Sequence, residues 1–581
     1  MKLSVLALDY DGTIARGDAL DPGVRTAIAA ARTRGVTVLL VTGRLLGDLR
    51  RVTGGLHFVD AVVAENGAVL HYPDSGYTRM LAPAVSAALV AELERIGLPF
   101  GAGECLVDAD AREAPRLLDA IRRLELPLVL VFNGGRVMVL PQGVSKATGL
   151  QAALATLRLS PRNCVAIGDA ENDHELLRAA EVGVAVEWGS AALTRAADIV
   201  VRGSGPWAVA SFLDPIVRSG RLPVPDRSRR SLLLGYTEDG REFSLAIRGR
   251  NVLITGDAKT GKSWVAGLLA EQLILNGYCL AIIDPEGDYR ALEALPGVTM
   301  LGGDDPPPTL RELSRALRYP DRSVVIDLSK RAHEQKVQRV RALLPALNAL
   351  RRRTGLPHRI VIDEAHYYLH GADALQLLDL EENGYSLVTY WASRLPKSFL
   401  DAIDVMIVTS ATNQAEVDAL RECCAMGDAD PEQWSLLTRL GPTQAVALPV
   451  TEEAQGALRL FRVGRRLTPH VRHREKYVDV PVAEYQAFVF SVNGRAPFRR
   501  IRTLREFVAA LDGMPAGEPE PYVRRGDFSR WIGDVFGDRV LAAELRALED
   551  RHRQTPLAET IPDIAAAIRA RYELGDDHGC S

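Results

Sequence analysis

Through the first third of the chain, short apolar runs rich in β-branched residues alternate with stretches in which apolar positions recur every third or fourth residue. The runs at 5–8, 36–41, 61–64, 164–167, 183–186 and 198–201 each read as a buried strand. Strands separated by helical periods predict βαβ units, and so a mainly parallel sheet with helices on both faces. Between about 73 and 144 a different rhythm intrudes, with helical periodicity over 82–96 and 112–124 and strands at 128–132 and 136–140. That block predicts a cap domain inserted into the first sheet.

Residues 219–231 mix Pro, Arg and small side chains, the composition of an exposed linker. A second alternation then begins, with strands expected at 244–247, 251–255, 280–284, 323–328, 359–363, 387–391 and 405–409. Past Val482 it thins into short amphipathic helices at 542–552 and 560–572, and the polar close from Gly575 to Ser581 is expected to fray. A helix is also expected to open at Gly526, capped by Asp527 or Ser529, with Phe528, Trp531, Ile532 and Val535 as its apolar stripe. The expected layout is an α/β unit over 1–218 (core 1–72 and 145–218, cap about 73–144), a linker over 219–231, a second α/β unit over 232–480, and a mostly helical extension over 481–581.

Composition changes this picture little. A chain of 581 residues is too long for one hydrophobic core, and 47% hydrophobic with 25% charged residues is ordinary for a globular protein. A net charge of −4 gives no global support for a nucleic-acid partner, which would need a local basic face. The six cysteines show neither CxxC spacing nor histidines at zinc-ligand intervals, so a reducing cytoplasm is the expected location. Asp9 interrupts the N-terminal apolar run before a signal peptide could be completed, and no stretch reaches the ~18 apolar residues of a membrane span.

Two clusters carry chemistry. In the first, Leu8-Asp9-Tyr10-Asp11-Gly12-Thr13 ends the first strand, so Asp9 and Asp11 can face the carboxyl edge where open α/β sheets bind ligands. Carboxylates this close call for a cation, which argues for Mg²⁺. One of them can accept a phosphoryl group while the other handles protons. Thr42, in Val41-Thr42-Gly43-Arg44, offers a hydroxyl to a phosphate oxygen, Lys146 can neutralise phosphoryl charge, and Asp169 and Asp173, in Gly168-Asp169-Ala170-Glu171-Asn172-Asp173, can complete the metal site. This ordered set, together with Glu65-Asn66-Gly67, resembles the haloacid dehalogenase (HAD) phosphatases, in the Cof-like and phosphoglycolate phosphatase-like branch with the cap between the second and third motifs. The resemblance covers residues 1 to about 215. It implies a Rossmann-like parallel sheet with an α+β cap, Asp9 as nucleophile, Asp11 as general acid/base, and Thr42 and Lys146 as phosphate clamps. It further implies Mg²⁺ held by Asp9, Asp169, Asp173 and the Asp11 carbonyl, and a small phosphorylated substrate.

The second cluster is Gly256-Asp257-Ala258-Lys259-Thr260-Gly261-Lys262-Ser263, between an expected strand and an expected helix over 264–275. In that context the GxxxxGK[ST] pattern makes an anion nest from Gly256, Lys259, Thr260 and Gly261, with Lys262 reaching β and γ phosphates and Ser263 on Mg²⁺. The strand 359–363 ends in Asp363-Glu364, where Asp363 can hold Mg²⁺ through water and Glu364 can polarise a water for ATP hydrolysis. With Leu234-Gly235, Ile283-Asp284-Pro285-Glu286-Gly287-Asp288-Tyr289, Val325 to Ser329 and Leu467-Thr468-Pro469-His470, this half resembles the HerA/FtsK class of hexameric DNA-pumping ATPases over about 232–478. The resemblance implies a RecA-like P-loop domain, bound ATP and a homo-oligomer, a hexamer among the options, and leaves DNA an open partner. Where that class carries a glutamine sensor, this chain has Ser393, in Ala392-Ser393-Arg394-Leu395-Pro396, which puts translocation in doubt. Arg394 and Arg421 are arginine-finger candidates.

The basic stretch Arg459 to Arg474 could meet phosphate backbone or a subunit, and His470 and His473 lack a third metal ligand nearby. The resulting expectation is a bifunctional hydrolase, a phosphatase fused to an ATPase. Two rivals are an end-processing polynucleotide phosphatase/kinase, which Asp363-Glu364 disfavours, and a nucleotide-gated assembly module that regulates the phosphatase.

Overall fold

The computed structural model describes residues 1–225, 230–246, 249–424, 431–441, 443–448, 458–469, 478, 481–482, 486–492, 495–515, 517–536, 538–555 and 559–572. The first α/β unit is built on an eight-stranded sheet. Its central strand, Val5–Leu8, is fully buried and lies parallel to both Cys164–Gly168 and Thr37–Val41. Leu8 pairs with Ile167 on one side and Leu40 on the other, so these three strands end level and release Asp9, Asp169 and Thr42 at one edge. The outer strands Val182–Val186 and Ile199–Val201 continue on one side, and Ala61–Ala64 on the other. Continuous apolar runs suit such a sheet, because helices cover both faces.

Two expected boundaries shift. Antiparallel strands Val69–His71 and Thr78–Met80 extend the core sheet into the interval expected for the cap, because a hairpin folds back on Ala61–Ala64. The cap helix expected from residue 82 starts at Ala87: Pro83 has no N–H to contribute, and the Ser86 side chain accepts the Leu89 N–H as the true cap. The cap is a four-stranded antiparallel sheet ordered 128–133, 136–141, 107–110, 100–102, packed on helices Ala87–Arg95 and Ala114–Arg123 through Leu89, Leu93, Leu117, Ile121, Val137 and Val139.

The second sheet has eleven strands. Val252–Thr255 lies parallel between Tyr385–Thr389 and Val405–Val408, and Arg359–Ile362 pairs with the far side of Tyr385–Thr389. Four antiparallel strands, Gln444–Leu448, Arg459–Val463, Leu232–Tyr236 and Glu242–Leu245, close the other end. The strand expected at 387–391 lies two residues earlier because Tyr390 and Trp391 leave the ladder to meet the His366 ring edge-on. Ile247, residues 226–229 of the linker, His470, His473, the Val471 to Arg474 end of the basic stretch, Cys580 and the polar close fall outside the described residues.

The two α/β units meet through a buried polar seam. Tyr278 donates to the Glu181 carboxylate at 3.0 Å, and Asn163 lies 3.0 Å from His358 Nε2. Lys2 reaches the Arg352 carbonyl at 2.9 Å, and Arg230 reaches the Ala180 carbonyl at 2.8 Å. The C-terminal unit has its own aromatic core of Phe488, Phe490, Phe507, Phe528 and Trp531. It includes a hairpin, Phe488–Val492 with Arg495–Ile501, beside helices such as Leu504–Gly513, Arg539–Gln554 and Thr560–Tyr572. Helix Asp527–Trp531 begins after a left-handed Gly526 without a side-chain cap, so neither Asp527 nor Ser529 caps it; the Ser529 hydroxyl instead donates back to the Gly526 carbonyl. Among the described residues no helix is long and apolar enough to cross a membrane.

Candidate functional sites

At the edge of the first sheet, Lys146 lies between two carboxylates. Its ammonium is 2.6 Å from Asp9 Oδ1 and 2.7 Å from Asp173 Oδ1, with all three side chains nearly inaccessible. Lys146 opens the helix Lys146–Leu157, whose start is fixed by a capping box between Ser145 and Thr148. Asp173 accepts the Asp169 and Ala170 N–H groups on its other oxygen, which fixes the carboxylate that anchors the lysine. Asp169 accepts the Thr13 hydroxyl at 3.1 Å.

Asp9, Asp169 and Asp173 each offer an oxygen within 4.8 Å of the others. Three carboxylates against one ammonium leave an excess of negative charge in a buried space, and that donor set fits a hard divalent cation such as Mg²⁺. Burial pushes the Asp9 carboxyl well above its usual range against the pull of Lys146, and burial followed by the Asp173 charge raises Asp169 to about 6. Burial pulls the Lys146 ammonium down, but the Asp173 and Asp9 charges outweigh it and hold the group firmly protonated.

Asp11 stands apart from this cluster. Its carboxylate takes a bidentate grip from Arg44, at 2.7 Å from Nε and 2.5 Å from Nη2. Arg44 also bridges to Asp18 in the turn after the first motif and lies over the Tyr10 ring. The Thr42 hydroxyl oxygen accepts the Arg44 N–H at 3.1 Å, so one short segment positions both the Thr42 hydroxyl and the guanidinium that orients Asp11. Arg44 has no role that its local pattern predicts; its one sequence signal is its place two residues after Thr42.

Glu65-Asn66-Gly67 is a left-handed corner, with φ of +52°, +54° and +106°. A side chain at Gly67 would drive its Cβ into the Ser145 carbonyl oxygen, so only glycine lets the lysine-bearing helix approach this closely. The buried Glu65 carboxylate accepts the Glu104 and Cys105 N–H groups at 3.0 and 2.8 Å and ties the cap to the core.

In the second unit the loop after Val252–Thr255 leads into helix Lys262–Leu275. Gly256, Lys259 and Gly261 all have positive φ, and a Cβ on Gly256 would collide with Thr409 Oγ1. Thr260 shares a 2.6 Å hydrogen bond with Thr409, Lys262 donates to the Asp257 carbonyl at 2.7 Å, and Ser263 donates to Asp288 at 2.7 Å. Asp288 is a further residue whose place beside the loop the sequence did not reveal. Asp363 and Glu364 end the parallel strand Arg359–Ile362, which is one strand removed from the loop's own strand. Glu364 is buried and left-handed at φ +47°, 3.7 Å from His366 Nδ1. Burial pulls His366 down to about 4, so its imidazole is neutral near pH 7. Ser393 donates to the Glu416 carboxylate, Arg394 stacks on Trp391, and Arg421 pairs with Asp418 at 3.7 Å.

Residues 6–96 and 101–213 match the family of haloacid dehalogenase-like hydrolases. The chain is 34% identical over 236 residues to a phosphoglycolate phosphatase of Natronomonas pharaonis, covering 97% of that protein and 39% of this one. It is 30% identical over 227 residues to a phosphoglycolate phosphatase of Methanopyrus kandleri, covering 95% of that protein and 36% of this one.

Proposed function

The chain belongs to the haloacid dehalogenase-like hydrolases, and from that premise we propose that its N-terminal unit hydrolyses a small phosphomonoester, phosphoglycolate first among the candidates. The observation that carries this reading is the Lys146 ammonium between Asp9 and Asp173, beside Asp169 and at the edge where Thr42 also emerges.

In this reading Asp9 attacks phosphorus and the ester P–O bond breaks, leaving an aspartyl-phosphate. Asp11, held as a carboxylate by Arg44 in the free protein, would leave that pair and take up a proton as substrate enters, give it to the leaving alkoxide and then take one from the water that hydrolyses the acyl phosphate. Thr42 and Lys146 hold the equatorial phosphoryl oxygens. Asp9, Asp169, Asp173 and the Asp11 carbonyl would hold Mg²⁺, which would supply charge neutralisation. The nearness of Met138, Asn133 and Asn172 to Gly43, whose ideal Cβ would lie 3.2 to 3.7 Å from all three, favours a small leaving group. The test is a screen of phosphoglycolate, sugar phosphates, nucleotides and 3′-phosphorylated DNA, with Asp9→Asn as control. Turnover of phosphoglycolate lost in Asp9→Asn upholds the reading; activity indifferent to Asp9→Asn overturns it.

For residues 232–480 we propose ATP binding and hydrolysis by a HerA-like unit. Support comes from the left-handed loop between strand and helix, and from Asp363-Glu364 ending a parallel strand roughly 10 Å away, two strand spacings along the same sheet edge. Lys262 and Ser263 would meet the phosphates and Mg²⁺, Asp363 the metal's water, and Glu364 the attacking water. The nucleotide-gated alternative is favoured by Ser393, whose hydroxyl is already committed to Glu416. Lys262→Ala abolishing ATP binding upholds the site, whereas unchanged binding overturns it. If Glu364→Gln leaves turnover intact while phosphatase activity tracks ATP binding, the gating view replaces hydrolysis.

A further inference from the structure

The C-terminal unit touches the phosphate loop at Lys259. This residue occupies the left-handed region at φ +67°, where a side chain costs backbone energy. Its ammonium donates to the Val535 carbonyl at 2.6 Å and lies 3.7 Å from the centre of the Phe536 ring. Both partners end the π-turn Ile532–Phe536, which follows helix Asp527–Trp531. Carbonyls at a helical end lack intrahelical partners and carry partial negative charge, so an ammonium suits them. Trp531 fixes the ring edge-on at 4.8 Å, and Phe536 belongs to the core of the C-terminal unit. The contact is therefore made by a rigid part of that unit.

Lys262 meanwhile donates to the Asp257 carbonyl at 2.7 Å, so each loop lysine is held by at least one protein carbonyl. A phosphate adds full charge–charge attraction to the hydrogen bond an ammonium makes, which a neutral carbonyl does not. A triphosphate seated in the loop competes for the same ammonium groups. We propose that the C-terminal unit is a lid latched onto the phosphate loop through Lys259, Val535 and Phe536, and that nucleotide phosphates release it. This rests on the ATP reading of the loop.

Two measurements on the full chain test it. Hydrogen exchange of amides 528–536 should rise several-fold when ATPγS and Mg²⁺ are added, and in Lys259→Gly it should be fast with or without nucleotide. Glycine accepts the left-handed backbone and leaves the lid's own core intact. Phe536→Leu keeps an apolar core side chain but removes the ring, so it should tighten ATPγS binding by about threefold to tenfold, the range of a partly buried cation–π contact. Nucleotide binding with exchange unchanged at 528–536, or affinity unchanged in Phe536→Leu, overturns the lid while the ATP reading stands. No binding of ATPγS to either protein overturns both.

Discussion

Lys146 is the residue on which the first site depends most. Removing it leaves Asp9, Asp169 and Asp173 buried together without a counter-charge, and breaking a buried pair in this way costs about 3–5 kcal/mol. Lys146→Ala should therefore lose phosphatase activity and also melt roughly 10 °C lower, at about 2–4 °C per kcal/mol for a unit of this size. A variant that melts like the parent would show that the cluster is not ionised as described. Asp169 gives the site a pH signature. Its folded pKa of about 6 lies above the ordinary 3.8, so its stabilising effect is complete below pH 3.8 and is lost as pH rises through 6. In metal-free protein, the melting temperature relative to Asp169→Asn should fall across that window, and Mg²⁺ should restore more of it at pH 7 than at pH 4. An equal Mg²⁺ effect at both values contradicts the assignment of Asp169 as a ligand. Asp9 and Asp169 were legible in the sequence as candidate ligands because they directly follow strand ends, whereas Asp173, in the turn Glu171–Asp173, was legible only through its motif. Arg44 and Asp288 were not: their roles depend on where loops from separate strands meet.

At the scale of elements, the seam between the two α/β units turns on His358. Its Nδ1 accepts the Cys279 N–H at 2.7 Å, so the ring proton sits on Nε2 and faces Asn163. Burial pulls this imidazole down to about 3, against an ordinary 6.5. The sign follows from linkage: between those values the opened state binds more protons, so the contribution is full above pH 6.5 and drains as pH falls toward 3. The melting temperature of the parent relative to His358→Gln should rise between pH 4 and 6.5, so that the variant's own pH slope is displaced downward from the parent's. A slope unchanged in the variant would place the titrating group elsewhere. Element boundaries were less legible than element existence. The shift of the 387–391 strand to Tyr385–Thr389 comes from edge-on aromatic contact with His366, a tertiary contact outside any local window. Phe488–Ile501 forms a hairpin within an extension expected to be mostly helical, because Phe488 and Phe490 serve a core assembled from distant helices.

At the scale of the whole molecule, strands from the two sheets start from one seam. Cys164–Gly168 leads from Asn163 to Asp169, and Arg359–Ile362 leads from His358 to Asp363. In the N-terminal unit Lys146, Asp9, Asp169 and Asp173 form one cluster with Asp11 held apart on Arg44, whereas in the second unit Lys259 of the glycine-bearing loop rests on Val535 of the C-terminal unit and Ser393 on Glu416. Chelation of Mg²⁺ should abolish phosphatase turnover and lower the melting temperature of the N-terminal unit, with both restored by readdition; turnover persisting in chelator would exclude a metal role for the acidic triad.

The central claim is that Asp9 carries the phosphoryl group. The direct measurement is rapid acid quench of the full chain with phosphoglycolate labelled in its phosphate, followed by peptide mapping. The account predicts transient label on the peptide containing Asp9, and none in Asp9→Asn. Turnover that proceeds with no labelled peptide, or with label retained in Asp9→Asn, would contradict it.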